Sequence, residues 1–505
     1  MNPRKFNRTF ATVVATLMTV VGTTAALGLP TAYGDPEAPA PLSEPVATPT
    51  ATEQTQAAVV PNVSEATPPF GANFPVLLEA NFSRPHYDKG TTNYDYSLLD
   101  DLERLIRGSY MTPQGALKPK VQREATAVYV SVSRMEESVR VGREMIRAAQ
   151  HGVTVKFIHG KATQSGASRS LVKNLNAQKT GHVLICSKGK SLACLSGLNG
   201  AITHAKIVMV SQTYTRDGDP AVGAIWTGSS NYGGRSAERT YNNGITVYND
   251  KKMWYQMHRL YSDMWAKRNI DNDYMRYVAT RSSSYGYSGA TANGYTSNYA
   301  TRGMFYSNLA NYTIYATPIK ATPTNGRDPI LNMLNRIVPD NQCRIRLMEN
   351  RFKYRRIAVA HKLVELNRQG CRISAVAFKD DLKSTYNLHC QQLIRICRPI
   401  LDVFKTSSTE IDTYYAHPHD KTILVDAKMK PNPLNPEERT PEGNIWPAAG
   451  HRVTMVSAGS AALTGSNLVM SDEVTTETTE PEIYDQYLNH WKAIMTTKPF
   501  GVFRY

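Results

Sequence analysis

The chain repeats itself once over a long period, and this limits its fold more than any other feature. In the first half, Leu98, Leu102, Leu105 and Ile106 recur at helical spacing over 97–107. An apolar strand follows at 127–132. A helix spans 137–150 and is closed by Gly152, where a left-handed cap suits glycine. A strand over 153–158 comes next. The second half answers in the same order: a helix around 328–334, a strand at 343–348, a helix over 354–369 closed by Gly370, and a strand at 371–378. The first half continues with a helix at 168–176 and strands at 182–185, 204–210, 224–227 and 245–248. Each half then closes on an aromatic helix, ending at Trp265 and Trp491. The pattern predicts an α/β protein of two homologous halves, each a mixed β-sheet flanked by helices. The period is far longer than a solenoid unit.

Two stretches at matching places in the repeat carry chemistry. His204-Ala205-Lys206-Ile207-Val208-Met209-Val210-Ser211 begins 52 residues after Gly152, and His419-Asp420-Lys421-Thr422-Ile423-Leu424-Val425-Asp426 begins 49 after Gly370. In an extended strand the His and Lys of each copy share a face. Imidazole serves as nucleophile or acid–base near neutral pH. A fixed cation beside it suits an anionic phosphate. A Gly-Ser turn with an Asn follows each stretch: Gly228, Ser229 and Asn231, then Gly465, Ser466 and Asn467.

These paired motifs resemble the phospholipase D superfamily, whose signature is HxKx4D followed by GSxN, present twice. The resemblance covers roughly residues 75–500. It implies two α/β halves related by a pseudo-twofold, with one active site at their interface. One His attacks phosphorus and forms a phosphohistidine. The other protonates the leaving alcohol, then activates water or an acceptor alcohol. Lys206, Lys421, Asn231, Asn467 and Ser229 would hold the phosphate oxygens, and no metal or other cofactor is needed.

The second HxKx4D is complete, whereas Ser211 replaces the Asp of the first. A position seven beyond the His falls on the opposite strand face, so Ser211 and Asp426 are read as structural. The second turn is one residue shorter than GSxN. Asn467 remains the phosphate ligand of that half, and the part of Ser466 is open. The family also places an acidic residue after GSxN to orient a His. Asp472-Glu473 fits best, with Glu477 as the alternative, whereas the corresponding place in the first half is Asn242-Asn243-Gly244, with no carboxylate. A carboxylate raises the pKa of a neighbouring imidazole. With Glu473 beside His419, His419 becomes the acid and His204 the nucleophile, an argument that fails if the carboxylate crosses to the other half. His151, His258, His361, His417 and His490 are read as packing residues, with a supporting role open for His417.

The N-terminus reads as a signal peptide. Arg4, Lys5 and Arg8 precede a stretch almost free of charge that ends in Ala32-Tyr33-Gly34. A membrane anchor is the alternative. The divisions are a signal peptide at 1–34, a Pro/Ala/Thr-rich linker at 35–70, a first half at 71–278, a Tyr/Ser/Gly connector at 279–303 and a second half at 304–505. The net charge of +16 falls to +13 once the three cations of 1–34 are removed, which favours anionic partners. Six Cys in an exported chain permit disulfides. A local Cys186–Cys194 bridge is plausible, and Cys343, Cys371, Cys390 and Cys397 leave three pairings. The insert 427–450, with five prolines, reads as either a lid or a passive excursion.

The sequence therefore predicts a secreted, monomeric phosphodiesterase of the phospholipase D type, hydrolysing or transferring phospholipid head groups. The expected partner is a phospholipid or membrane surface. A secreted nuclease of the same superfamily, with nucleic acid as partner, is the alternative. A weakly active module binding anionic surfaces is the third reading.

Overall fold

In a computed structural model the described residues are 68–71, 74–88, 91–135, 140–160, 165–187, 189–269, 272–274, 276–277, 305–307, 311–322, 326–378, 396–433, 438–496 and 502–503. The expected signal peptide, nearly all of the linker, the connector 279–303 and Cys390 lie outside them.

The elements of the first sheet are β1 (Leu77–Ser83), α1 (Ser97–Arg107), β2 (Ala127–Val132), α2 (Arg140–Gln150), β3 (Thr154–Gly160), α3 (Gly166–Asn176), β4 (Gly181–Cys186), β5 (Ile207–Tyr214), β6 (Pro220–Gly228), α4 (Gly234–Glu238), β7 (Asn242–Tyr248) and α5 (Lys251–Trp265). The second sheet continues with β8 (Phe305–Ser307), β9 (Tyr312–Thr317), α6 (Pro329–Asn335), β10 (Arg344–Glu349), α7 (Ile357–Arg368), β11 (Arg372–Phe378), α8 (Arg398–Phe404), β12 (Asp412–Ala416), β13 (Lys421–Met429), β14 (His451–Gly459), α9 (Gly465–Val469), β15 (Glu473–Thr478), α10 (Pro481–Thr496) and β16 (Val502–Phe503).

The repeat is visible in the ladders. The seven-stranded sheet runs β1-β7-β6-β5-β2-β3-β4, and the ten-stranded sheet contains β9-β15-β14-β13-β10-β11-β12 in the same order. Sense matches too: β2–β3 and β3–β4 are parallel, as are β10–β11 and β11–β12, while β2–β5 and β10–β13 are antiparallel. The protein is thus α/β, with two mixed sheets flanked by helices. The apolar stripe of α1 buries Leu98, Leu102, Leu105 and Ile106 in one core cluster with β2, β3 and α2. A second cluster lies under α6, α7 and α8. Two further clusters combine side chains of both sheets: Ala205, Ile207 and Met209 with Ile314 and Val474, and Ala80 and Ile245 with Leu424 and Val456. Gly152 and Gly370 both have positive φ, +90° and +111°, which ends each helix tightly enough for the next strand to return.

Two expectations about local structure change. The strand expected from His204 begins at Ile207, and the one carrying His419 begins at Lys421. The histidines sit in lead-in segments because their backbones bond to the opposite half instead. The described part of the 427–450 insert packs at the far end of β13, where buried Trp446 donates to the Met429 carbonyl at 2.7 Å. Eight residues of strand separate Met429 from Lys421, roughly 26 Å, so this part does not overhang the histidines. Cys186–Cys194 and Cys343–Cys371 are disulfides, and Cys397 is also disulfide-bonded. No described helix is long and apolar enough to cross a membrane.

Candidate active site

The histidine segments are built by exchange between the halves. Thr203 bridges in parallel with Asp472, and the His204 amide donates to the Asp472 carbonyl at 3.0 Å. In the same way Pro418 bridges with Tyr241, and the His419 amide donates to the Tyr241 carbonyl at 2.8 Å. His204 is therefore fixed by the residues that open β15, and His419 by those that open β7.

This exchange corrects the expected partner of the carboxylate. Glu473 does not serve His419. It crosses to His204, whose Nδ1 lies 2.7 and 2.9 Å from its two oxygens. His419 Nδ1 instead lies 3.0 Å from Oδ1 of Asn242, the residue equivalent to Glu473. A carboxylate only accepts, so His204 carries its proton on Nδ1 and turns an unprotonated Nε2 toward the cleft. Glu477, the alternative carboxylate, sits four residues further along β15 and accepts from the Tyr315 hydroxyl at 3.2 Å.

Both histidines, Lys421, Asn231 and Asn467 line one cleft of about 400 Å³. Lys206 lies buried behind it. Its Nζ donates to the His204 carbonyl at 2.6 Å, and Lys421 Nζ likewise donates to the His419 carbonyl. Burial lowers Lys206 well below its usual range and Lys421 to about 7, while Glu473 pulls both upward. Burial also takes His204 down to about 4, against the upward pull of Glu473 and with the help of Lys206. At neutral pH His204 is thus an uncharged imidazole. Asn231 presents a buried Oδ1 that accepts no hydrogen bond from any described residue.

The second turn also differs from expectation. The counterpart of Gly228-Ser229 is Gly459-Ser460, not Gly465-Ser466. Gly228 and Gly459 both end their strands so close to a neighbour that an added Cβ would meet a carbonyl oxygen, of Asn243 at 2.4 Å and of Val474 at 2.3 Å. Ser229 and Ser460 then donate their amides to those same carbonyls at 2.9 and 2.8 Å. Counting on from each serine, the position held by Asn231 is Ala462 in the second half, and Ala462 also lines the cleft. Gly465-Ser466-Asn467 is instead the first turn of α9, capped by the Thr464 side chain. Asn467 donates its amide to Glu473 Oε1 and accepts from the Thr464 hydroxyl, so both ends of its side chain are committed within the protein. The decoy arose because the capped start of a short helix has the same Gly, Ser and Asn composition as the motif.

Ser229, read as a phosphate ligand, does not line the cleft, and the two motif positions read as structural lie away from it. Ser229 lies one layer behind, 3.3 Å from Asn242 Oδ1, as Ser460 lies 2.5 Å from Glu473 Oε2. Ser211 accepts the Ala127 amide at 2.9 Å within the first sheet. Asp426 accepts from Arg452 at 3.0 Å near the far end of β13.

Other groups take supporting roles that the sequence did not show. Asp472, beside Glu473, accepts the Cys194 and Leu195 amides at 2.7 and 3.1 Å and the Thr203 hydroxyl at 3.0 Å, clamping the Cys186–Cys194 loop to the second half. Burial raises its carboxyl to about 7. His490, read as a packing residue, is buried with Nε2 3.2 Å from Asp420 and accepts from Arg84 at Nδ1, also at 3.2 Å. Asp420 in turn accepts from Asn243, the neighbour of Asn242. The first motif has Ala205 where the second has Asp420, and that adjacency to His419 was the one available signal.

Among the described residues no group of three or more His, Cys, Asp or Glu is placed to hold a metal ion.

Residues 122–265 match the family described as "Cardiolipin synthase, PLD-like domain". Among solved structures, the chain is similar to the phosphatidylserine synthase of Haemophilus influenzae, with 9% identity, TM-score 0.47, and coverage of 86% of this chain and 90% of that one. It is similar to the polyphosphate kinase of Porphyromonas gingivalis, with 11% identity, TM-score 0.42, and coverage of 82% of this chain and 49% of the kinase, so it spans about half that protein's length. It is also similar to Nuc from Salmonella typhimurium, described as a phospholipase D family member, with 13% identity, TM-score 0.25, and coverage of 38% and 95%. No curated protein matches the chain. The matched domain contains the first His-x-Lys motif, and the second motif occupies the equivalent place in a sheet of the same strand order: residues 122–265 form a PLD-like domain.

Proposed function

We propose that the protein cleaves a phosphodiester through a phosphohistidine on His204 and passes the phosphoryl group to water or to an alcohol. The expected pKa argument fails, since Glu473 lies on His204; the assignment is carried instead by that carboxylate fixing the proton on His204 Nδ1 while burial keeps the ring neutral. The carboxylate holds the Nε2 lone pair toward the cleft and stabilises the cation that forms as Nε2 bonds to phosphorus. The P–O bond to the leaving alcohol breaks, and His419 gives that oxygen its proton. In the second step His419 takes a proton from water or the acceptor alcohol, the new oxygen bonds to phosphorus, and the P–N bond to His204 breaks. Lys206, Lys421 and Asn231 offset or hold the non-bridging oxygens. A bound phosphate in turn favours the charged form of the two depressed lysines.

The first substrate reading is the head-group diester of a phospholipid, met outside the cell. Two disulfides are compatible with an oxidising compartment. The lining supports a second reading. Among the described residues it carries Arg134, Arg351, Lys353 and Lys421 but no carboxylate and no Phe, Tyr or Trp face. That is a poor cage for a choline cation and a favourable channel for a nucleic-acid backbone. The deciding experiment pairs head-group release from vesicles with nicking of plasmid DNA, using wild type and His419→Ala. Loss of both activities in wild type would sink the phosphodiesterase reading.

A further inference from the structure

The two histidines differ in what is packed behind them as much as in their Nδ1 partners. Behind His204, Ala205, Val474 and Met264 belong to one apolar core cluster. The duplication puts polar residues at the same three places behind His419. Asp420 follows His419 as Ala205 follows His204. Asn243 follows Asn242 as Val474 follows Glu473, and His490 precedes Trp491 as Met264 precedes Trp265. The three polar groups are buried and bonded to one another: Asn243 donates to Asp420 Oδ1, and His490 Nε2 lies 3.2 Å from Asp420 Oδ2. Arg84 donates to His490 Nδ1, so the ring carries its proton on Nε2, donates it to the carboxylate and stays neutral. Both side chains that hold Asp420 are therefore uncharged, and the carboxylate keeps its charge. Burying a carboxylate where the sister half buries a methyl group is unfavourable for packing alone.

The acid step needs such a charge. His419 Nδ1 donates to Asn242 Oδ1 at 3.0 Å, so the proton given to the leaving oxygen must stand on Nε2 and the ring must begin as a cation. That cation lies beside Lys421, whose Nζ is 3.3 Å from Nδ1. His204 has Glu473 to offset a ring charge. Position 242 does not suit a carboxylate: Asn242 Nδ2 donates to the carbonyls of Ser236 at 3.1 Å and Thr240 at 2.9 Å, so an Asp there would set oxygen against oxygen. Glu473 is met by donors instead, from Ser460 and Asn467. The anion of the second site stands one residue along the chain. We propose that Asp420 is the positioning residue of the acid: its carboxylate, held by His490 and Asn243, supplies the negative charge that keeps His419 protonated on both nitrogens until the leaving oxygen takes the Nε2 proton. This rests on the phosphodiesterase reading above and adds a residue to its mechanism. Consecutive Cα atoms stand ~3.8 Å apart, so the charge acts over a short buried path rather than through water. The other charges at this place are Lys421, Arg84, Glu473 from β15, Glu349 from β10 and Arg351 just beyond it. Glu349 does not take the role, because burial pushes its carboxyl well above the usual range and favours its neutral form.

Asp420→Asn keeps the size of the side chain and removes the charge, and Asp420→Ala installs the residue of the sister half. Histidine ring NMR titration reads the His419 pKa without turnover, with His419→Ala identifying its resonance. A carboxylate favours the charged imidazole, so both variants should lower that pKa, by roughly one unit, and Asp420→Glu should restore part of it. The basic limb of kcat/KM, where the acid loses its proton, should move to lower pH with it. Single-turnover cleavage should slow by roughly fivefold more for diphenyl phosphate, whose phenolate leaves with a proton, than for bis(p-nitrophenyl) phosphate, whose leaving group needs none. Loosened packing would slow both diesters alike. An unchanged His419 pKa in both variants, or equal losses on the two diesters, overturns the proposal. If wild type cleaves neither diester, the catalytic reading falls, and the NMR titration still decides whether Asp420 holds the proton on His419.

Discussion

Glu473→Gln keeps the size of the side chain and removes its charge, which isolates what the carboxylate does for His204. As Nε2 bonds to phosphorus the imidazole becomes cationic, with carboxylate oxygens 2.7 and 2.9 Å from Nδ1. Truncating one partner of a buried, hydrogen-bonded charge pair costs about 2–5 kcal/mol. A central value of about 3 kcal/mol lowers the rate by on the order of 10²-fold. A second effect adds to this. Glu473 accepts from Ser460, Asn467 and His204 together. An amide has only one oxygen, and its NH2 must face one of these donors. If it faces His204, the imidazole must accept at Nδ1 and carry its proton on Nε2, which removes the nucleophilic lone pair. The expected loss in kcat/KM is therefore roughly 10²–10⁴-fold, read with bis(p-nitrophenyl) phosphate as substrate. The pH profile gives an independent sign. His204 sits at about 4 because burial outweighs the upward pull of Glu473, and the enzyme loses its nucleophile as pH falls through that value. Taking away the upward pull moves the acid limb of kcat/KM to lower pH. Activity within threefold of wild type, or an acid limb displaced to higher pH, would refute the reasoning.

Other consequences follow from the same geometry. His419→Ala should still form acid-labile phosphohistidine with a p-nitrophenyl ester, whose leaving group needs no proton, and should hydrolyse it slowly, whereas His204→Ala should form none; rapid-quench trapping and mass spectrometry distinguish the two. Asn231→Ala should reduce kcat/KM by roughly tenfold, while Asn467→Ala, acting only through Glu473, should shift the acid limb as well as the rate. Chain-entropy arithmetic puts the Cys186–Cys194 bridge, with a separation of 8, at about 2.5 kcal/mol and Cys343–Cys371, with a separation of 28, at about 3.6 kcal/mol; urea midpoints of Cys→Ser variants check the order.

The ladders were legible because their signals are local. Apolar spacing placed α1 at its observed limits and β2 at 127–132, and the two glycines after α2 and α7 marked equivalent turns. The lead-in segments were not legible. An isolated His-x-Lys followed by apolar residues has the composition of a strand, and only the bond from His204 to the Asp472 carbonyl, across 268 residues, gives the backbone another partner. His490 was passed over for the same reason: its partners, Arg84 and Asp420, lie 406 and 70 residues away.

The misplaced carboxylate and the misplaced turn have a common origin. In a duplicated fold, sequence proximity says which half a residue belongs to, not which half it serves. Strand β15 follows the second motif, yet its first residue completes the first motif; β7 does the reverse with Asn242. Such an exchange lets a nearly symmetric scaffold support an asymmetric reaction. The two imidazoles must differ, since one attacks unprotonated while the other delivers a proton. Their backbone settings are nearly equal, each donating its own amide to a carbonyl of the opposite half, each with a lysine folded onto its own carbonyl. At Nδ1, Glu473 stands against Asn242, a difference of one charge on otherwise equivalent positions. In the proposed mechanism the fold supplies equivalent imidazoles twice, and that one charge selects His204 as the nucleophile.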